Sequence, residues 1–293
     1  MPQFNKSLII QNPTAGLGWN RPVSKRLLKV IKNWIPFATW ILTRGPGDAT
    51  SLAKQAEEEG YDFLMVSGGD GTINEAMNGL VGSSTVLGIL PSGTGNSLAR
   101  EVGLPINPRK ALEVLRKGKT HDVYLGLANG KYFGLMVGIG FDAEAVHHVS
   151  YSLKRIFGRW SYILSGIRSL FCYHFPVFKM VVDGQEFEAT TVVICKARYY
   201  ASSIQIAPKA SLQSPTFQVF LYNGRGFWDY LRLCFSVMMN RHTRLKGAAM
   251  MEAKEVTIKP GRGILAQMDG EVLLKVPTSI RIAQKQIKVL FSE

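Results

Sequence analysis

Acidic residues are scarce in this chain: 21 Asp and Glu stand against 35 Lys and Arg, leaving a formal charge of +14. Such an excess favours anionic partners, whether nucleotide phosphates, nucleic acid or an acidic membrane surface. Between positions 150 and 179 there is no acid at all. Cysteine is also sparse. Cys172, Cys195 and Cys234 lie far apart in apolar settings, without the CxxC spacing of a zinc or redox site, and fit a reducing compartment. No uninterrupted apolar run reaches the roughly 20 residues of a membrane span. The opening MPQFNKSLIIQNP lacks the apolar core of a signal peptide, so the expected location is cytoplasmic, with peripheral attachment to a membrane. His147, His148 and His242 have no neighbouring cluster of His, Cys or acids and read as surface or packing residues. Internal repeats and low-complexity tracts are absent.

What is present is an ordinary folding composition. With 293 residues, 46% hydrophobic and 19% charged, the chain is long enough for two domains, each with its own core. Up to about position 125, short apolar runs at 7–10, 38–42, 63–66 and 86–90 alternate with helical patterns at 23–31, 49–58, 73–80 and 97–102. This alternation predicts an α/β domain with a parallel sheet over 1–125. From 126 to 293 the texture changes to FKMVVDG, FEATTVVIC, FQVFLY, EVTIKP and SIRIAQKQIKVLF, which predicts an antiparallel sheet or β-sandwich. The last strand is a candidate to return to the first domain. Asp183-Gly184 marks one hairpin, and RIAQKQIKVLF reads as another.

Two segments of the second half combine aromatic and basic residues at helical spacing. The first spans 153–171, with Phe157, Trp160 and Phe171 beside Lys154, Arg155 and Arg159. The second carries Phe227, Trp228, Tyr230, Phe235, Met238 and Met239 beside Arg232, Arg241, Arg244 and Lys246. Their apolar faces are suited to covering a sheet, and their basic, aromatic rims to an anionic lipid interface.

In the first half every predicted strand is followed by a polar or glycine-rich segment: QNPTAGLG, TRGPGDA, SGGDGT and PSGTGNS. Ligands of parallel sheets bind beyond the C-terminal strand ends. A helix N-terminus there presents unpaired N–H groups and a positive dipole end, which suit phosphate. Glycine lets bare backbone approach such a ligand closely. Asp70, beside a phosphate, would repel it unless a cation such as Mg²⁺ lies between. The alternative is a tight turn with Asp70 as a local hydrogen-bond acceptor. Thr72 and Glu75 have the spacing of a capping box.

NPTAG at 12–16, GGDGT at 68–72, LPSGTGNSLAR at 90–100 and MDGE at 268–271 occur in that order. Together they resemble the catalytic-domain family of diacylglycerol kinases, which also holds sphingosine and ceramide kinases and bacterial lipid kinases. The resemblance implies an N-terminal nucleotide domain of the NAD kinase/diacylglycerol kinase type, a C-terminal β-sandwich for the lipid, and ATP held between them. It places ATP contacts at Asn12, Thr43, Ser67, Gly68, Gly69, Asp70, Gly71, Thr72, Glu75 and Thr94. Glu271 becomes the general base, and Asp70 with Asp122 the organisers of Mg²⁺. The chain departs from the pattern in three places. Gln213, Ser214 and Pro215 stand where many relatives carry an acid pair at a structural divalent-metal site. Ser97 stands where many have an acid, and Ala201-Ser202 where a glycine pair is common.

The expected reaction is transfer of the γ-phosphoryl of MgATP to a lipid hydroxyl, most simply that of diacylglycerol. A sphingoid-base or phospholipid-headgroup kinase, a NAD kinase and a non-catalytic nucleotide- or lipid-binding protein are the alternatives. Expected partners are ATP, a lipid and an anionic membrane, with a homodimer left open. Nucleic acid is not among them, because the basic stretches are interleaved with aliphatics at helical spacing.

Overall fold

A computed structural model describes residues 2–16, 25–147, 169–171, 173–200, 204–259, 261, 263–273 and 275–292. His148, Cys172, Ala201-Ser202 and most of the helix expected over 153–171 lie outside the described residues. The chain forms two compact units, Met1–Tyr124 with Gln284–Glu293, and Leu125–Ala283.

In the first unit the short apolar runs become β1 (Ser7–Gln11), β2 (Thr39–Leu42), β3 (Phe63–Gly68) and β4 (Val86–Pro91). Between them lie α1 (Lys25–Trp34), α2 (Asp48–Glu58) and α3 (Asp70–Gly79), and α4 (Ser97–Glu101) and α5 (Pro108–Leu115) follow β4. Then comes β5 (Lys119–Val123), and the distant β20 (Ile287–Phe291) completes a sheet of order β2-β1-β3-β4-β20-β5. All pairings are parallel except β20 with β5. Strands β1 and β3 are buried along their whole length, as strands covered by helices on both faces must be. Helices α2 and α3 pack on small residues: a Cβ on Gly79 would lie 2.5 Å from the Thr50 carbonyl oxygen.

The sequence pattern began α3 at Ile73, with a Thr72–Glu75 capping box. The helix instead starts at Asp70, with extended Gly69 as its N-cap, and the Ile73 amide closes the first turn onto Gly69 O at 3.1 Å. Asp70 in the first turn complements the helix dipole. Thr72 and Glu75 therefore fall inside the helix, where their side chains serve other partners.

The second unit runs through β6 (Gly126–Ala128), β7 (Lys131–Phe133), β8 (Met136–Gly140), α6 (Phe141–His147), β9 (Phe178–Val182), β10 (Gln185–Ala189) and β11 (Thr191–Cys195). It continues with β12 (Tyr199–Tyr200), β13 (Ile204–Gln205), β14 (Phe217–Tyr222), α7 (Phe227–Met238), β15 (Ala248–Ala253), β16 (Glu255–Lys259), β17 (Ala266–Met268), β18 (Glu271–Leu273) and β19 (Ser279–Ile282). Two six-stranded antiparallel sheets result, of order β10-β9-β16-β19-β6-β7 and β15-β14-β11-β8-β17-β18. Phe178, Met180, Val256 and Ile280 of the first meet Val137, Ile139, Val192 and Phe217 of the second in one core. This is a β-sandwich, its alternate side chains interdigitating between the layers.

The central strands of the second sheet, β8, β11 and β14, are buried on both faces, the outer one partly by aromatic side chains. Tyr230 of α7 lies with its ring 4.6 Å from Phe141 and 5.5 Å from Tyr222, and donates its hydroxyl to Thr190 Oγ1 at 2.8 Å. The Asp183-Gly184 turn has both φ angles positive, 44° and 86°, the two-residue geometry that matches strand twist. The other expected hairpin does not form. β19 pairs with β16 and β6, whereas β20 joins β4 and β5 in the first unit. Ile287, Val289 and Leu290 are all fully buried, which suits a strand inside a helix-covered sheet rather than one arm of a half-exposed ribbon.

Helix α7 divides its apolar residues between two faces. Tyr230 and Leu233 are buried, while Trp228 is 72%, Phe235 60% and Met239 64% exposed. With Arg232 these three fall at i, i+4, i+7 and i+11, a single outward stripe. Packing against the sheet therefore accounts for only part of the pattern.

Candidate functional site

Because β2, β1, β3 and β4 are adjacent and parallel, the four loops at their C-terminal ends lie side by side within the first unit. Hydrogen bonds stitch them together. The Asn12 amide donates to Ser67 O (2.9 Å), that of Thr43 to Gln11 O (2.9 Å) and that of Ser92 to Gly68 O (3.0 Å). Asn12 Nδ2 donates to Thr72 Oγ1 at 2.8 Å, and Asn12 Oδ1 accepts from the Thr14 amide and hydroxyl, each at 2.9 Å.

The glycines divide by cause. A Cβ on Gly93 would lie 2.4 Å from Gly69 Cα, one on Gly68 2.7 Å from Thr72 Cβ, and one on Gly95 2.9 Å from Asp70 Oδ2. These three are required by packing of loop on loop. Gly71 is different: it is helical, and a Cβ there would meet nothing within 4 Å. Among the described residues no neighbour requires a glycine at that position.

Asp70 accepts from two backbone amides of the neighbouring loop, Ser97 N at 3.1 Å on Oδ2 and Leu98 N at 2.9 Å on Oδ1. The carboxylate thus ties α3 to the start of α4. Asn96, buried in the left-handed conformation at φ 53°, closes the loop by exchanging hydrogen bonds with Gly93, 2.9 Å to its amide and 2.7 Å from Nδ2 to its carbonyl. The sequence reading passed over Gly93, Gly95 and Asn96. Their place in PSGTGN was the available signal.

The other expected contacts are placed as follows. Ser67 is buried at the end of β3 and Thr43 is buried just past β2, while Thr94 is exposed at the tip of its loop. Glu75 turns toward α2, accepting the Ala49 amide on Oε2 at 3.3 Å, and so supports that helix's N-terminus instead of capping its own. Asp122 is not brought to Asp70. It sits on β5 opposite Lys288, itself opposite Val86 at the start of β4. That level is five residues, about 16 Å along the strand, from the loop after Pro91. Its carboxylate is exposed and paired with Lys288 Nζ at 3.2 Å. The expected Asp70–Asp122 metal pair is corrected accordingly: the register of β5 sends Asp122 to the other end of the sheet.

In the second unit, MDGE forms the two-residue turn between β17 and β18, with Asp269 at φ 50° and Gly270 at φ 87°. Both are the left-handed values such a turn demands. The Asp269 carboxylate accepts three consecutive amides, Gly134 (3.0 Å), Leu135 (3.0 Å) and Met136 (2.8 Å). Glu271 follows with its side chain exposed. The turn is held by Asp269 and leaves the glutamate available.

Two metal questions can be tested on these residues. Among the described residues no three His, Cys, Asp or Glu side chains gather as a cage. The Asp70 carboxylate beside a glycine-rich loop fits Mg²⁺ that would arrive on a nucleotide, since this ion keeps waters and phosphate oxygens among its ligands. The structural divalent site of relatives does not fit. In the stretch where they carry the acid pair, Lys196, 0% exposed, points its ammonium at Ser211 O (2.5 Å) and Ser214 O (2.7 Å). A cation of the chain's own already occupies those carbonyls. Chelation with EDTA is expected to leave the melting temperature of the nucleotide-free protein unchanged, whereas Lys196→Met should destabilise it by about 3 kcal/mol, the loss of charge-assisted hydrogen bonds to buried carbonyls. A melting temperature that falls on chelation and recovers with Mg²⁺ would show an ion there after all.

Comparison with known proteins agrees with this architecture. The model of the diacylglycerol kinase catalytic domain matches residues 6–128, and that of the YegS C-terminal NAD kinase beta sandwich-like domain matches 135–291. The diacylglycerol kinase of Bacillus subtilis (strain 168) is 27% identical over 276 residues, covering 92% of this chain and 90% of its own. That of Mycobacterium tuberculosis (strain CDC 1551 / Oshkosh) is 28% identical over 298 residues, covering 98% and 96%. A crystal structure from Bacillus anthracis str. Sterne superimposes with TM-score 0.82 at 25% identity, over 100% of this chain and 97% of that one. The crystal structure of a diacylglycerol kinase from the same organism, 23% identical with TM-score 0.76, has the same fold. With both domain models matched in order along nearly its whole length, the chain belongs to the diacylglycerol kinase catalytic-domain family and is a lipid kinase.

Proposed function

We propose that this enzyme transfers the γ-phosphoryl of MgATP to the free hydroxyl of diacylglycerol in an anionic membrane. The observation that carries the nucleotide half is the glycine cradle at the start of α3, above all Gly71, whose open surroundings call for no glycine except to admit a ligand. Phosphate suits the N–H groups and dipole there. In this reading Asn12, hydrogen-bonded to Thr72, and Thr94 would border the cradle, the buried Thr43 and Ser67 would support it, and Asp70 is the carboxylate that would meet Mg²⁺. The ion would neutralise charge on the transferring phosphoryl. Glu271, anchored through Asp269, would take the proton of the lipid hydroxyl, since an alcohol is a poor nucleophile until a base accepts its proton. The choice of diacylglycerol follows the names of the Bacillus subtilis and Mycobacterium tuberculosis relatives.

Membrane contact is assigned to α7. Among the described residues no helix is long and apolar enough to cross a bilayer, but the exposed stripe of Trp228, Phe235 and Met239 is flanked by exposed Arg225, Arg232, Arg241, Arg244 and Lys246. Aromatic residues that bury at the acyl boundary, with cations that meet anionic headgroups, are the two requirements of interfacial docking. The test uses labelled ATP with vesicles of phosphatidylglycerol containing diacylglycerol. Phosphatidic acid should form, and the double variant Trp228→Ala/Phe235→Ala should lose most turnover on vesicles yet keep it on a short-chain, water-soluble diacylglycerol. Product from NAD in the absence of lipid would replace the reading with NAD phosphorylation. Equal loss on both diacylglycerols would remove the membrane role from α7.

A further inference from the structure

The turn that carries Glu271 is held by a second, buried anchor that no motif announces. Gln267 on β17 is 1% exposed and Asp142, at the start of α6, is 8% exposed. Gln267 Oε1 accepts the Gly270 amide at 2.8 Å, and Gln267 Nε2 donates to Asp142 Oδ2 at 2.7 Å. Tyr200 adds a further hydrogen bond to the Asp142 carboxyl. Gly138 faces Gln267 across the ladder, and a Cβ there would lie 1.6 Å from Asp142 Oδ2. Glycine at 138 is what allows an acid to reach under the sheet. Burial pushes the Asp142 carboxyl above the usual carboxylate range, and it likewise pushes up the neighbouring Cys195 thiol. A buried polar chain is costly unless every member is bonded. Here each link leads toward the residue next to Glu271.

We infer that Asp142 and Gln267 are positioning residues for phosphoryl transfer: Asp142 orients the Gln267 amide, which holds the Gly270 N–H and with it the direction in which Glu271 leaves the turn. Asp269 fixes where the turn sits, through the amides of 134–136. Gln267 fixes how it is rotated. The inference rests on Glu271 acting as the base, so its test needs one readout that is independent of turnover.

That readout is hydrogen exchange at the Gly270 amide in the full-length protein. Gln267→Met keeps the length of the side chain and removes both hydrogen bonds, and should speed exchange at Gly270 while the other β17–β18 amides stay protected. With diacylglycerol and ATP, kcat should fall on the order of 10- to 100-fold, the usual effect of misplacing a catalytic group by about 1 Å, with KM for ATP retained. Gln267→Glu alone sets two carboxyl groups against each other and should also lose kcat. Adding Asp142→Asn exchanges amide and acid, restores the hydrogen bond between 142 and 267 with donor and acceptor reversed, leaves a side-chain oxygen at 267 to accept the Gly270 amide as before, and should recover most of the lost kcat and the slow exchange at Gly270. Unchanged exchange at Gly270 in Gln267→Met would overturn the anchor itself. Fast exchange with undiminished kcat would overturn its catalytic consequence, and an exchanged pair that recovers melting temperature but not kcat would reduce the network to packing. Should Glu271→Gln prove fully active, the base assignment fails, while the Gly270 exchange result still decides whether the anchor exists.

Discussion

Glu271→Gln is expected to lower kcat by about 10²- to 10⁴-fold, the usual worth of a positioned general base, with ATP affinity unchanged. The amide is isosteric with the acid and cannot take a proton. The turn should survive the change, because its geometry is set by the positive φ angles of Asp269 and Gly270 and by the three amides on the Asp269 carboxylate. None of these involves the Glu271 side chain. Nucleotide contacts are assigned to loops of the first unit, which the substitution does not touch. Steady-state rates on diacylglycerol vesicles and calorimetric titration with ATP separate the two quantities. Undiminished turnover would remove Glu271 from the mechanism.

Substitution of Asp70 should produce the other large effect, and of two kinds. Asp70→Ala deletes the acceptor of both the Ser97 and Leu98 amides, and should cost about 2–3 kcal/mol, since hydrogen bonds to an ionised partner are each worth about 1.5–3 kcal/mol and this one is only half-buried. Asp70→Asn keeps one oxygen for one of those amides and removes the charge. Its stability loss should be smaller, while turnover falls at least about tenfold, one bond's worth of charge stabilisation in the transition state. The Mg²⁺ concentration needed for half-maximal rate should rise as well. Thermal melts and Mg²⁺ titrations of activity measure these separately. If Asp70→Asn keeps the parent's Mg²⁺ dependence and loses turnover only in step with stability, the carboxylate is a strut between α3 and α4 and nothing more.

Asp70 shows how much of this site was legible beforehand. Its place between a strand end and a helix start was readable from FLMV on one side and the 3.6-residue pattern on the other. That its two oxygens would be claimed by amides 27 and 28 residues away was not, because Ser97 and Leu98 offer only backbone, which carries no side-chain signal. Asp122 failed in the opposite manner. Its residue type suited a metal ligand, but its position depends on β5 pairing antiparallel with β20, where its partner Lys288 lies 166 residues later in the chain, and register across such a distance is not written in local pattern. The same pairing dissolved the hairpin expected over 281–291. Lys196 and Gln267 lay unnoticed inside apolar stretches, where a polar residue looks like the outward side of a strand until the other face is seen to be covered.

By itself the sequence determined the kinds of element and their order. Alternating apolar runs and helical stretches, with a polar or glycine-rich segment after each strand, admit few arrangements other than a parallel sheet whose loops meet on one edge, and Asp183-Gly184 marks a hairpin turn. Only the tertiary structure decided which carboxylates stand near that edge, that an ammonium holds the Ser211–Ser214 carbonyls, and that half of α7's aromatic residues face outward. The reason is that chain direction and side-chain period are local properties, while strand partner, register and the covering of a face are set by contacts between segments far apart in the chain.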